Sequence, residues 1–361
     1  MRSRVIFRRL RPARTPAMTD AAVSVPSTPL TGVDVILADL DGVVYKGADA
    51  IPHAVESLNA ASETVRVGYI TNNASRTAAS VAEHLSSLGL TVVADDVVTS
   101  PQAAVRLLSG LVPAGSSILV IGGEGLTDEV EKGGFTVTRS ALDEPAAVVQ
   151  GFAPEVGWVH LAEAAFALQK ENADRPWVAT NTDWTIPVAR GTAPGNGTLV
   201  SAVHTAIGRL PLVAGKPETP MFELAVDRFS ATEAIVIGDR LDTDILGANK
   251  AGLKSIHVLT GIDGAKQVLA AVEQQRPTYI VGDLRELHEP YPHPVDSIEV
   301  VGGVETTVTT SGGARVRRTG EVLEIVEAGD STINLVRAGA AAIWRSGLPI
   351  YALTVPAGLY S

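Results

Sequence analysis

The sequence predicts an α/β protein with a mostly parallel main sheet, an inserted α/β domain and a small α+β unit at its carboxyl end. Two observations carry this expectation. Short β-branched runs alternate with amphipathic stretches of helical period over residues 30–290, the pattern of βαβ units. Several runs, such as AIVIG at 234–238, are apolar without a break, as strands covered on both faces must be.

Taken in order, the strand candidates are 33–38, 65–70, 116–121, 146–150, 177–180, 234–238, 255–259 and 278–281, each rich in Val, Ile and Ala and bounded by polar or turn residues. Helix candidates fall between them at 52–61, 76–88, 101–110, 124–132, 160–172, 197–208, 219–229, 242–251, 265–274 and 283–288. Three boundaries suggest themselves. DDVVTSP near 95–101 opens a new set of elements, TIPVARGTAPGNG at 185–197 reads as a long loop, and EPYPHPVD at 289–296 reads as a linker. They divide the chain into a disordered tail over 1–29, a core built from 30–99 and 194–290, an inserted domain over 100–193, and a terminal unit over 291–361. The terminal unit offers strands SIEVVG, TTVTT and VLEIVE, a helix in STINLVRAGAAAIWRSG and a last strand in PIYALTV.

Composition narrows the function. With 361 residues and 45% hydrophobic content, the chain can fill two or three cores. A net charge of −11 argues against nucleic acid as a partner. The absence of cysteine excludes disulfides, thiolate catalysis and cysteine-bound zinc. No apolar run approaches the length of a membrane span, so no membrane partner is expected and the expected location is the cytoplasm. Residues 1–17 stand apart, with six Arg and no acid. They read as part of the disordered tail, with a nucleic-acid arm or a targeting peptide as the sharper alternatives.

Four strand ends carry the chemistry. In VILADLDGVVYKG, Asp39 and Asp41 follow an apolar strand; extended residues two apart point the same way, so both can aim into one crevice. Neighbouring acids repel unless a cation joins them or one keeps a proton, and a site with a nucleophile, a proton donor and a hard metal needs such a pair. Gly42 lets the chain turn sharply after them. In VGYITNNASR, Thr71 and the turn at Asn72 and Asn73 can cradle a phosphate oxygen, or form an ordinary strand-to-helix turn. Lys216, in VAGKPETPMF, stands just before a helix start and can neutralise a phosphate and a nearby carboxylate, or lie on the surface. AIVIGDRLDTDI supplies Asp239, Asp242 and Asp244, hard oxygen ligands or an acidic helix start. Each plain reading stands by itself; four in succession would be a coincidence.

These strings, DLDGVVYKG, TNNASR, GKPETPMF and GDRLDTDI, resemble the four motifs of the haloacid dehalogenase (HAD) superfamily, in the branch with a type-IIa cap and p-nitrophenyl-phosphatase-like activity. The match spans about residues 30–290. It implies a Rossmann-like core, a cap at 100–193 and a Mg²⁺ cofactor. By the resemblance Asp39 attacks phosphorus, and Asp41 protonates the leaving alkoxide and then activates water. The metal would be held by Asp39, the backbone carbonyl of Asp41 and Asp239, with Asp244 behind them. Thr71, Asn72, Asp41 and Lys216 would surround the phosphate. An acid at 41 favours a phosphatase or phosphomutase over a dehalogenase or a transport ATPase. Glycerol 3-phosphate is the expected substrate and 2-phosphoglycolate the alternative; transfer to a second sugar and an idle binding core are the other readings.

Asn181, Asp183, Trp184 and Arg190, on the return from the cap, are candidates for substrate contact or plain loop packing. His160, His204 and His257 show no grouping and are assigned no catalytic role. The terminal unit resembles part of an acetyltransferase fold but lacks the R/Q-x-x-G-x-G/A element for an acyl-CoA pyrophosphate. SGGARVRR at 311–318 reads as a hairpin turn. Self-association through the cap or the terminal unit stays open.

Overall fold

The computed structural model describes residues 27–188 and 190–360, so most of the expected tail lies outside the described residues. The main sheet has six strands in the order Tyr279–Val281, Lys254–Val258, Ala234–Gly238, Val35–Ala38, Arg66–Thr71, Val97–Thr99, every neighbouring pair parallel. Counted along the chain, the order reverses direction at Val35–Ala38 and Ala234–Gly238. Connections there leave on opposite sides, and a crevice opens at the carboxyl ends of these two strands.

Val35–Ala38 is buried on both faces. Ile36 and Ala38 join a core with Ala54, Leu58, Val81 and Leu85, while Val35 and Leu37 join a second core with Ala104, Leu108, Met221 and Phe222. The sandwich of helices fixes this strand's register, and with it the position of the residue that follows. Sequence runs located these strands to within a residue or two; Val97–Thr99 was missed because three residues between polar stretches carry little periodic signal.

A second parallel sheet runs Leu212–Val213, Trp177–Ala179, Ala147–Gln150, Ser117–Ile121, Thr136–Thr138. It therefore continues past the boundary expected at 193. The Pro- and Gly-rich stretch read as a loop instead forms an antiparallel hairpin, Thr185–Val188 with Gly191–Pro194, leading into helix Asn196–Ile207.

The terminal unit is a four-stranded antiparallel sheet, Val295–Val301, Val304–Ser311, Ala314–Thr319 and Val322–Glu327, with helix Thr332–Trp344 on one face. Two expectations need correction. The hairpin turn is confined to Gly312 and Gly313, both with positive φ, and ARVRRT is a strand. PIYALTV holds a 3-10 turn, Ile350–Ala352, and touches the sheet only through a bridge from Thr354 to Val322. Among the described residues no helix is long and apolar enough to cross a membrane.

A buried arginine fastens this unit to the core. Arg337, 2% exposed, donates through Nε to the Ile280 carbonyl at 2.8 Å and through Nη1 to Asn334 at 2.7 Å, and pairs through Nη2 with Glu286. Its guanidinium lies 4.4 Å from the centroid of the Tyr291 ring. Arg337→Leu strips Glu286 of its partner and is expected to cost about 3 kcal/mol in a urea titration of the full chain. A loss below about 0.5 kcal/mol would contradict this anchoring role.

Candidate active site

Asp39 follows the central strand at once, its N–H bonded to the Ile237 carbonyl at 2.8 Å, and Asp239 follows the neighbouring strand Ala234–Gly238. Both acids thus stand at the crevice where the strand order reverses. Asp244 lies one turn further on, and suitable oxygens of Asp39, Asp239 and Asp244 all lie within 4.8 Å of one another. Lys216 Nζ sits among them, 2.5 Å from Asp39 Oδ1 and 2.7 Å from Asp244 Oδ1, with only 3% of its side chain exposed.

The electrostatics are unbalanced. Burial is the largest influence on Asp39 and raises its pKa well above the carboxylate range; Lys216 pulls it back, while Asp244 and Asp239 push it up again. Asp239 is pushed up to about 7, first by burial and then by Asp244, against the Ile262 N–H, Lys216 and Arg240. Burial also disfavours the Lys216 ammonium, but Asp244 and Asp39 more than reverse this, and its pKa rises. Three carboxylates face one ammonium.

The residues present fit a divalent cation. Asp239 Oδ2 accepts the Ile262 N–H at 2.7 Å, whereas Asp239 Oδ1 is buried with no hydrogen-bond partner. A buried bare carboxylate oxygen is costly unless a cation meets it. Both oxygens of Asp244 are engaged, Oδ1 by Lys216 and Oδ2 by the Arg240 N–H at 3.2 Å, so this acid steadies the lysine. Two glycines make room. Gly42 has φ +83° and a Cβ there would lie 2.3 Å from Asp239 Oδ2; at Gly261 the distance would be 1.9 Å. Sequence reading missed Gly261 and Ile262; a TGID turn just past the strand candidate 255–259 was the available signal.

Asp41 is exposed at the rim, with the Tyr45 hydroxyl 3.5 Å from its Oδ2. Enclosure by surrounding protein raises its pKa, which favours a carboxyl that can hold a proton; Lys216 is the main opposing influence. Thr71 ends strand Arg66–Thr71, and its Oγ1 accepts the Asn73 N–H at 3.1 Å, leaving its own O–H to donate.

The Asn72 side chain does what the sequence did not suggest. Its Oδ1 accepts the Lys216 N–H at 2.8 Å and its Nδ2 donates to the Lys216 carbonyl at 3.0 Å, clamping the lysine backbone. The same Nδ2 reaches Asp183 at 3.1 and 3.2 Å. Asn181 is 4% exposed and donates to the Asn72 carbonyl at 2.7 Å. It is a brace, closed to a substrate, and this corrects its candidacy for substrate contact. Asp183 is drawn into the same brace, its pKa raised by burial against the pull of Arg240 and Asn72. Trp184 and Arg190 are exposed on the hairpin side. Asp242 pairs with Arg240 at 2.9 Å, away from the acid cluster. His257 is buried, its Nε2 on the Asp263 carbonyl at 2.7 Å.

Comparison with known proteins agrees with this geometry. A model described as haloacid dehalogenase-like hydrolase matches residues 36–136, and a HAD-hydrolase-like model matches 213–287. The chain is 44% identical over 319 residues to a D-glycerol 3-phosphate phosphatase of Mycobacterium tuberculosis, covering 87% of this chain and 86% of that protein. A crystal structure of glycerol phosphate phosphatase from the same organism, in complex with magnesium, superposes with a TM-score of 0.77 at 42% identity, over 90% of this chain and 94% of that one. A p-nitrophenyl phosphatase from Archaeoglobus fulgidus gives a TM-score of 0.65 at 26% identity, over 71% and 98% of the two chains.

The raised pKa of Asp239, about 7, has a measurable consequence. A carboxyl whose pKa is higher folded than unfolded contributes stability below its unfolded value, and that contribution is lost as pH rises through the folded value. Cation-free protein should therefore lose stability from about pH 4 to about pH 7, and a divalent cation, which binds the ionised acids, should restore it. The cation-induced rise in Tm is expected to grow between about pH 5 and about pH 8, and to vanish in Gly261→Ala. A pH-independent rise, or one that survives in Gly261→Ala, would contradict the site as described.

Proposed function

The chain belongs to the haloacid dehalogenase-like hydrolases, and we propose that it is a Mg²⁺-dependent phosphomonoesterase whose principal substrate is glycerol 3-phosphate. The observation that carries the chemistry is Asp39, held by Lys216 at 2.5 Å beside the unpartnered Oδ1 of Asp239. The substrate rests on the 44% identity to the mycobacterial phosphatase across most of both chains.

Asp39 and Asp239 would hold the ion, with Asp244 steadying Lys216 behind them. When bound, Mg²⁺ supplies positive charge that offsets the crowded acids and draws electron density from phosphorus. The protein's own groups do the rest. Lys216 takes Asp39 Oδ1 and leaves Oδ2 to attack phosphorus, forming an aspartyl-phosphate as the ester P–O bond breaks. Asp41 gives its proton to the departing alkoxide oxygen, which leaves as an alcohol. In the second step Asp41 takes a proton from water, whose oxygen attacks the same phosphorus; the Asp39–phosphorus bond breaks, and inorganic phosphate and free Asp39 result. The Thr71 hydroxyl and the Lys216 ammonium donate to the phosphoryl oxygens, where charge is greatest. The division fits the geometry: Asp39 is buried and pinned, while Asp41 stands at the rim, where water and a leaving alcohol pass.

Asp39→Asn is expected to lower phosphate release by more than about a thousandfold with an unchanged circular dichroism spectrum and at most a modest change in Tm. Substantial residual turnover would refute the nucleophile. With the unmodified chain, kcat/KM for glycerol 3-phosphate should exceed that for 2-phosphoglycolate by at least about tenfold. The opposite preference would overturn the substrate and leave the phosphatase reading intact.

A further inference from the structure

The terminal sheet has two unlike edges. Beyond strand Val322–Glu327 the edge is shut by the chain itself, with the Leu323 N–H on the Thr354 carbonyl at 2.9 Å and the Thr354 N–H on the Glu321 carbonyl at 2.8 Å. Beyond strand Val295–Val301 nothing in the described chain pairs.

Which groups this edge presents follows from the hairpin that closes it. Val301 and Val304 flank a two-residue turn, Gly302 and Gly303, both with positive φ (+60° and +84°). Such a turn is closed by a hydrogen-bonded pair, and bonded pairs alternate along an antiparallel ladder. Val295, Ser297, Glu299 and Val301 therefore turn their main chain inward. Two side-chain bonds agree: Thr306 Oγ1 donates to the Glu299 carbonyl at 3.2 Å, and Ser297 Oγ to the Val308 carbonyl at 3.3 Å. The N–H and C=O groups of Asp296, Ile298 and Val300 face outward.

The usual guards of a free edge are missing. No lysine or proline interrupts 295–301. Its two acids are spoken for within the chain, Asp296 by Arg345 at 2.9 Å and Glu299 by Arg315 at 2.5 Å. Ile298 and Val300 lie on the face that carries helix Thr332–Trp344. That helix lies over the next two strands, and both side chains are left about two-thirds exposed, at 65% and 66%.

We propose that this strand pairs with the same strand of a second copy, antiparallel across a two-fold axis centred on Ile298, to make one continuous sheet. A two-fold normal to the sheet keeps each face on its own side, so only registers that oppose residues of like parity are allowed. Centring on Glu299 sets Glu299 against itself. Centring on Ser297 sets Pro294, which lacks an N–H, against the outward Val300. Centring on Val300 drives the Gly302–Gly303 turn into the ladder. Centring on Ile298 opposes Ile298 with Ile298, Asp296 with Val300, Ser297 with Glu299 and Val295 with Val301. No like charges meet, the outward groups form about six main-chain hydrogen bonds, and the bare apolar side chains of both copies come together.

The chain contains no cysteine, which makes the register directly testable. Residues at an opposed hydrogen-bonded pair have Cα atoms about 5.5 Å apart, within disulfide range, so oxidised Ile298→Cys should form a covalent dimer. Val301→Cys should not, since the two copies of 301 would lie about 20 Å apart. Light scattering on the unmodified full chain should give twice 37.5 kDa, falling to the single-chain mass in Ile298→Lys with phosphate release per chain unchanged. A single-chain mass for the unmodified protein, a dimer that survives Ile298→Lys, or equal cross-linking at 298 and 301 would each overturn the proposal.

Discussion

A lysine ammonium lodged between two carboxylates, 2.5 Å from Asp39 and 2.7 Å from Asp244, is the constraint on which the rest of this structure depends. Burying any one of these charges alone would be costly, and burying an ion pair is only worthwhile where the remaining lone pairs and protons are met. Here they are met up to one carboxylate oxygen. The excess of two negative charges and the bare oxygen of Asp239 mark what the folded chain lacks. The acids are tolerated because the site is built to be completed.

The fold supplies that site through its topology. Asp39 and Asp239 are two hundred residues apart in the chain, yet their strands are neighbours at the point where the sheet order reverses. Strand burial on both faces pins their register, so each acid emerges at a fixed height. Lys216 comes from outside this sheet, and its backbone is held by the Asn72 carboxamide, itself braced by Asn181 and Asp183 from the second layer. The segment returning from that layer is thereby tied to the position of the lysine. A shift of the return segment would be felt at Asp39 through only three side chains.

Much of the fold was legible because its signals are local. Val35–Ala38 and Ala234–Gly238 announce themselves as unbroken apolar runs ending in acids, and Lys216 precedes a Pro-started helix. What escaped was long-range or brief. The second sheet's last strand is Leu212–Val213, two residues that only a neighbour makes into a strand. PIYALTV has the composition of a strand but no free ladder to join beyond one bridge. Asn181 looked like a loop residue open to substrate, and its bond to the Asn72 carbonyl spans 109 residues, a contact for which the sequence holds no period. Gly261 illustrates the same limit: its need for no side chain is set by a carboxylate from a different strand.

Calorimetric titration of Mg²⁺ into the full chain and its Asp239→Asn variant tests the central claim most directly, because it reads completion of the charge cluster without invoking any substrate. This account expects a single ion per chain in the unmodified protein and no detectable binding in the variant. Equal binding by both proteins, or none by the unmodified chain, would contradict it.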